Sequence, residues 1–401
     1  MIQKELDQIN EGDLLFLIEN SVLENKTLEY KQELNLNNRD EKKEFLADIS
    51  SFANASGGDI IYGIIENRED GTPKDLVGLN TENIDELKGK IEGLIRDGTE
   101  PRIHVNIHTI ELSNSKNVLI IRIPKSWRSP HRVIFGRDYR FFSRNSNGKY
   151  HLDVEELKNV FNLSEMLNER IRAFREDRIS TVVANELSVQ IHDGAKIILH
   201  LMPIDAFNPA QSYEIDIIAQ NNGKLTTISG HGNDNKYNID GYLVNYEANE
   251  KSASYAQLFR NGIIEAVDWF ILGYNNENQY IVGNLLEKKL IDSISQYLDV
   301  LKILEVNTPI FIFVTLVGVK NFKMYVESGR GAVYNQISHS IGLGNKYEVD
   351  RDILLLTESI IENYDDKPQD ILKNCFDSLW NACGYPRSLN YDEEGNWNPK
   401  K

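Results

Sequence analysis

The sequence predicts an α+β protein of two domains. Three observations carry that expectation. At 401 residues the chain exceeds the size at which one hydrophobic core stops growing, about 250–300 residues. Strand-like runs such as TLEYKQELNL (27–36) alternate with segments of helical period such as NNRDEKKEFLADISSFANA (37–55). HVNIHTIEL and NVLIIRIPK are joined by the short turn SNSK, the signature of an antiparallel hairpin.

Each element has a local reason. Residues 1–20 read as a short helical lead with Leu14, Leu15, Leu17 and Ile18. The strand at 27–36 follows. The helix at 37–55 has Asn or Asp near its cap and places Phe45, Leu46, Ile49, Phe52 and Ala53 on one face. Gly57 and Gly58 end it, because glycine accepts the left-handed backbone at a helix C-terminus. DIIYGIIEN (59–67) is a buried strand, and residues 81–96 form a second helix ending near Gly98. After the hairpin, RDYRFFSRNSNGKYHLDVEELKNVF holds a strand, a Gly turn and a helix capped near Asp153. The first domain is expected over 1–163, a helical linker over 164–186, and an α/β domain over 187–401. In that last domain GAKIILHLMPI, SYEIDIIA, YNIDGYLVNY, SYAQLFRNGIIEAVDWFI and TPIFIFVTLVGV read as strands, and residues 284–304 as an amphipathic helix. SGHGNDNKYN (229–238), with His231, reads as a loop, and the apolar-poor tail SLNYDEEGNWNPKK as peripheral or mobile.

Composition narrows the class. The net charge of −17 argues against a general nucleic-acid coat protein. The distribution points elsewhere. Residues 1–100 carry 11 Lys/Arg against 23 Asp/Glu, whereas 101–150 carry 10 against two, Glu111 and Asp138. One basic segment inside an acidic chain marks a local polyanion site or a solvated basic hairpin. Its candidate nucleic-acid contacts are Arg122, Lys125, Arg128, Arg132, Arg137, Arg140, Arg144 and Lys149, with Trp127 for base stacking and His131 as an acid/base or hydrogen-bonding group. Only Cys375 and Cys383 occur, too few for a disulfide framework or a zinc set, so a reducing cytoplasm is expected. No apolar run approaches the ~20 residues that span a bilayer, so no membrane partner is expected. No Gly-x4-Gly-Lys-Ser/Thr occurs, so ATP is not supported.

The stretch ENKTLEYK places Glu24 and Glu29 five positions apart, with Lys31 two beyond. In a strand Glu29 and Lys31 share a face. Glu66 closes the next strand and can approach both acids if the two strands share a sheet. Clustered carboxylates repel, and hard divalent cations relieve that repulsion. Spacing alone leaves a second reading, three surface acids in an acid-rich chain.

ENKTLEYK followed by FLADISSFANASGGDIIYGIIEN resembles the AlbA-like domain of the Schlafen family. The carriers are Glu24, Glu29, Tyr30 and Lys31, then Phe52, Ala53, Asn54, Gly57, Gly58 and Gly63, then Pro124, Ser126, Pro130, His131, Tyr139, Arg144 and Ser146. The resemblance implies a Schlafen/AlbA-like mixed sheet with packed helices over the first domain. The second half is similar to the C-terminal region of bacterial proteins labelled ATP-binding proteins or transcriptional regulators. Nuclease-active Schlafens cleave transfer and ribosomal RNA at a metal-dependent three-carboxylate centre. Carried over, Glu24, Glu29 and Glu66 are ligands of Mg2+ or Mn2+, and they are catalytic together with Lys31. The family has Asp at the third position, and Asp59 or Asp70 takes it if the register slips. The implied function is a divalent-metal-dependent endoribonuclease acting on structured RNA such as tRNA, in phage defence or stress response. A non-catalytic nucleic-acid- or nucleotide-binding regulator is the alternative. Eukaryotic Schlafen cores carry two such lobes and this chain shows one Glu-x4-Glu-aromatic-Lys element, so a homodimer is expected.

Overall fold

The computed structural model describes residues 6–67, 71–80, 83–137, 139–208, 211–221, 223–230, 234–274, 277–326 and 348–399, with Ile2, Lys4 and Gly232. Two compact units divide at Leu167/Asn168.

In the first unit the order is α1 (Glu11–Glu19), β1 (Leu28–Lys31), α2 (Arg39–Asn54), β2 (Gly58–Tyr62), β3 (Ile64–Glu66), β4 (Pro73–Leu76), α3 (Ile84–Gly98), β5 (Thr99–Glu100), β6 (Asn106–Glu111), β7 (Asn117–Ile123), β8 (Arg132–Val133), β9 (Arg140–Asn145), β10 (Gly148–His151) and the start of α4 (Val154–Ala184). The main sheet runs β1-β2-β7-β6 and is mixed: β1 and β2 are parallel, the other neighbours antiparallel. A second sheet runs β10-β9-β8-β5. β1 is shorter than the alternation over 27–36 suggests. Its pairing ends where Gly63 N–H donates to the Lys31 carbonyl at 2.7 Å, and Gly63 has φ +108°, outside the strand region.

Side-chain parity on this sheet decides which residues face α2. Leu28 and Tyr30 of β1 join Ile61 of β2 and Leu14 and Leu17 of α1 in one core cluster. Ile60 and Tyr62 point to the other face, against Phe45, Leu46, Ile49 and Phe52 of α2. Glu29 and Lys31 alternate with Leu28 and Tyr30, so they emerge on the α2 side. α2 is N-capped by Asn38, whose side chain accepts from Asp40 and Glu41 N–H in a capping box. Its C-terminal glycines are required sterically. At Gly58 a Cβ would lie 2.5 Å from the Thr27 carbonyl oxygen, which is how closely β1 approaches. Gly57 has φ +68°.

In the second unit the order is β11 (Lys196–Pro203), α5 (Asp216–Gln220), β12 (Asp234–Tyr237), β13 (Gly241–Ala248), β14 (Lys251–Phe259), β15 (Ile264–Asp268), α6 (Phe270–Gly273), β16 (Tyr280–Val282), α7 (Gly283–Ile303), β17 (Ile310–Val317), β18 (Lys323–Tyr325), β19 (Ile353–Leu355), β20 (Ser359–Ile361), α8 (Pro368–Ile371) and α9 (Lys373–Ala382). Its eight-stranded sheet runs β12-β13-β14-β15-β11-β17-β19, with β20 also on β17, and its pairs are antiparallel. α7 packs Leu286, Leu290, Ile294 and Leu301 on one face with Leu199 and Val314. On the other face Ile179 and Val182 of α4 pack with Ile198, Tyr255 and Val267.

Other expectations change as well. The segment 164–186 is no separate linker: it lies almost wholly within α4, whose Ile179 and Val182 are core residues of the second unit. SYEIDIIA contains the short helix α5 rather than a strand. Ile215 and Ile218, three apart, are buried while Ile217 is exposed, so helical spacing overrides the alternation. Within 229–238, residues 234–237 form strand β12, while His231 lies outside the described residues. The tail is anchored. The buried Glu287 carboxylate accepts from Trp380 Nε1, Ser388 Oγ, Asn390 Nδ2 and Trp397 Nε1 at 2.7–2.9 Å, so a few polar side chains hold an apolar-poor segment.

Candidate functional site

The two acids of the Glu-x4-Glu element arrive by different routes. Glu29 points from β1 toward α2. Glu24 precedes the strand and turns back so that its Oε1 accepts the Tyr30 N–H at 2.6 Å. The backbone N–H of Glu24 donates to the Gly71 carbonyl at 3.2 Å, which ties this segment to the β3–β4 hairpin. Glu66 ends β3 in that hairpin. The Glu66 and Glu29 carboxyls lie near enough to Glu24 to act on its ionisation. Burial, then the charges of Glu66 and Glu29, push Glu24 up to about 7, against the hydrogen bond from Tyr30.

Glu29 is held differently. Lys31 Nζ lies 2.6 Å from its Oε1, and Arg144 Nη1 donates to its Oε2 at 2.8 Å. Burial pushes Glu29 upward, but the two cations outweigh it and its pKa lies below the ordinary value. Lys31 also faces Asp48 of α2 at 3.4 Å, and Asp48 accepts from Lys149 at 2.6 Å. Burial opposes the charge of Lys31, yet Asp48 and Glu29 together raise its pKa, so it stays an ammonium. Arg144 is 4% exposed, and its guanidinium lies 3.5 Å over the Phe52 ring.

Asp48 is a site residue that sequence reading missed. A signal existed: an Asp between Ala47 and Ile49 on the apolar face of a helix must be buried, and a buried carboxylate needs cationic partners.

The family-like residues serve as braces. The Asn54 side chain donates to the carbonyls of His131 and Phe142 at 2.8 Å and accepts the His131 N–H at 2.7 Å. It thereby fixes the 131 loop and β9 against α2.

Several expected nucleic-acid contacts are committed elsewhere. Arg122 is bidentate to buried Asp59 at 2.8 and 3.1 Å and donates to the Ile2 and Lys4 carbonyls. Asp59 lies one residue from Ile60 and two from Ile61, so it shares the α1 side of the sheet and cannot replace Glu66. Asp70 and the side chain of Arg137 lie outside the described residues. Arg144 is buried on Glu29, and Arg132 pairs with Glu100 at 2.6 Å. Lys149 bridges Asp48 and Glu44. Lys125 and Arg128 are exposed, and Arg128 stacks 4.5 Å over the Trp127 ring. Arg140 is exposed, 3.2 Å from His151 Nε2.

His131 is buried, with Nδ1 2.7 Å from the Pro101 carbonyl. Burial, with Arg128 and His104 nearby, holds its pKa down to about 4. It is therefore neutral at pH 7. The folded pKa lies below the unfolded value of 6.5, so protonation favours unfolding. The native state should lose up to about 1.4 kcal/mol per pH unit as pH falls from 6.5 toward 4. Urea midpoints at pH 7 and pH 5 measure this, and His131→Gln should flatten the dependence. An equal pH slope in both proteins would assign the loss to other groups.

Among the described residues, no group of three or more His, Cys, Asp or Glu side chains is placed to close around one ion. The donor chemistry nevertheless fits a hard divalent cation in a restricted form. Glu24 and Glu66 present adjoining, half-buried oxygens whose mutual repulsion a cation would relieve, and Mg2+ is commonly held by one or two carboxylates plus water. Glu29, neutralised by Lys31 and Arg144, stands beside that pair.

The first unit is an α+β domain whose mixed sheet carries Glu29 and Lys31 on the side that faces α2. Residues 24–153 match the family model described as Schlafen, AlbA_2. The family supports a nucleic-acid-related function. No curated protein matches the chain significantly. Among solved structures, the N-terminal domain of a RecG-related protein from Nitrosomonas europaea is similar at 19% identity, covering 30% of this chain and 75% of that one, with a TM-score of 0.24. The DIP2311 protein from Corynebacterium diphtheriae is similar at 16% identity, covering 36% of this chain and 27% of that one, also with a TM-score of 0.24. Among the described residues, no helix is long and apolar enough to cross a membrane.

Proposed function

We propose that the first unit is a divalent-metal-dependent endoribonuclease acting on structured RNA such as tRNA. The observation that supports it most is the closeness of the Glu24 and Glu66 carboxyls, two acids 42 positions apart in sequence, beside Glu29. A nucleic-acid binder gains nothing from acids next to a phosphate track, because they repel the ligand. Glu24 and Glu66 would hold Mg2+ or Mn2+, which supplies Lewis-acid polarisation of a phosphoryl oxygen. Lys31, kept cationic by Asp48 and Glu29, stabilises negative charge developing on the phosphate in the transition state. Arg144 holds Glu29 in position from below.

The test is incubation of the purified protein with total tRNA, with and without Mg2+ or Mn2+. Discrete fragments that need the cation support the reading. Intact tRNA under both conditions, with binding retained, would favour the binding-only regulator.

The exposed Lys125 and Arg128 contact phosphates in this reading, whereas Arg122 does not. Each of Lys125→Ala and Arg128→Ala should reduce the slope of log affinity against log salt by about 0.7 to 0.9. Arg122→Ala should leave that slope unchanged and lower stability instead, because it strands the buried Asp59. Equal slopes in all three variants would remove Lys125 and Arg128 from the interface.

The RNA-competent form in this reading is a homodimer, since one lobe offers a short basic track and two-fold pairs are the commonest closed assemblies. A light-scattering mass of one chain in the active protein would exclude it.

A further inference from the structure

A groove of about 380 Å3 opens between α2 and the β9–β10 hairpin. Its volume sits at the low end of ligand sites and suits one nucleotide. α2 contributes Asp40 and Lys43, and the hairpin contributes Arg140, Phe142, Lys149 and His151. The strand register sets two of these side by side. Phe142 lies opposite His151 and Arg144 opposite Lys149 across the antiparallel ladder.

His151 is exposed but braced. Its ring centroid lies 4.5 Å from that of Phe142, and its Nε2 lies 3.2 Å from Arg140 Nη1. An exposed aromatic ring already held on two sides loses little freedom when a base stacks on it. The rim carries both signs of charge, with Lys43, Arg140 and Lys149 against Asp40 and Glu44. Lys43 and Arg140 can meet a nucleotide's phosphate, while Asp40 and Glu44 oppose it and so limit the phosphate to the cationic side of the rim. An uncharged apolar ligand would match neither.

The groove is also wired to the carboxylates. Lys149 Nζ lies 2.6 Å from Asp48, Asp48 lies 3.4 Å from Lys31, and Lys31 lies 2.6 Å from Glu29. Two side chains thus separate the groove lining from Glu29. We propose that this groove seats one unpaired nucleotide of the RNA strand, its base on His151 and its phosphate on Arg140 and Lys43, immediately beside the bond that is cut. Its position beside a cut bond rests on the ribonuclease reading above; the seat itself does not. An unpaired nucleotide at that place then becomes a substrate requirement, which a continuous duplex cannot meet.

The test measures binding without cleavage. Anisotropy of a labelled eight-nucleotide RNA, single-stranded or as a blunt duplex, is read in EDTA for the full chain. Wild type is compared with His151→Ala, His151→Phe and Arg140→Ala, each with an unchanged melting temperature. Wild type should prefer the single strand. His151→Ala should weaken that binding about tenfold, His151→Phe should keep it within about threefold, and Arg140→Ala should weaken it and reduce the salt slope by about 0.7. Equal wild-type binding of duplex and single strand overturns the seat, as does unchanged affinity in His151→Ala or an equal loss in His151→Phe. The two readings fail separately. Expected binding with no cleavage by wild type in Mg2+ keeps the seat and removes the nuclease. Cleavage by wild type, with His151→Ala binding and cutting as well, removes the seat and keeps the nuclease.

Discussion

Replacing Glu66 by Gln is expected to lower Mg2+-dependent RNA cleavage by about 100- to 1000-fold while leaving the fold intact. Glu66 is half-buried at the end of β3, and its carboxyl lies close to Glu24, so glutamine keeps shape and removes only charge. Glu24→Gln should lose as much activity and also keep its bond from Tyr30 N–H. Glu29→Ala should behave differently. It removes the partner of Arg144, whose side chain is 4% exposed, as well as one of the two partners of Lys31, so activity and stability fall together. Initial rates on tRNA, read beside urea midpoints, separate the two patterns. Full activity in Glu66→Gln would remove that residue from the chemistry, and Asp59 could not take its place because it lies across the sheet on Arg122.

The second large effect lies in the other unit. Glu265 of β15 is fully buried, and three groups satisfy it: Arg178 in a fork at 2.9 and 2.8 Å, His200 Nε2 at 3.0 Å, and the Tyr255 hydroxyl at 2.8 Å. Burial alone would raise its pKa, yet Arg178 and His200 hold it down to about 2. Glu265→Ala should cost about 3–5 kcal/mol, because it leaves the Arg178 guanidinium facing the sheet without a counter-charge. The double variant Glu265→Leu with Arg178→Met should recover only part of that loss, since it removes the unpaired charge but still leaves the buried His200 Nε2 and Tyr255 hydroxyl without their partner. Denaturant unfolding of the full chain reads both. A loss below about 1 kcal/mol in Glu265→Ala would show that water reaches Arg178 when its partner is gone. The same contact explains why residues 168–184 do not act as a linker: a helix with a buried arginine fork is part of the core it touches.

The local elements were largely legible from sequence. Apolar spacing placed α2, β2, β6, β7, α7 and β17, because periods of 3.6 and 2 are properties of the chain itself. It failed at α5, where two isoleucines three apart competed with a short alternation, and at the tail, where Glu287 organises donors from two distant segments. Within the candidate site, the Glu24–Glu29–Lys31 spacing was visible in one short stretch, whereas the approach of Glu66 was conditional on its strand sharing a sheet with β1, and β3 instead pairs with β4.

What the sequence alone determined about this protein was therefore the family resemblance of its first domain, the order of its elements and the acids that candidate chemistry would use. Tertiary structure decided how each charge is employed. Glu29 meets Arg144 across 115 positions and Asp48 meets Lys149 across 101. Those meetings depend on which face of β1 turns toward α2 and on where β9 and β10 cross that helix. A basic segment looks uniform in one dimension. In three dimensions its cations divide between a structural lock on Asp59, a brace under Glu29 and an open rim, because burial forces each charged group to find a partner before it can serve a ligand.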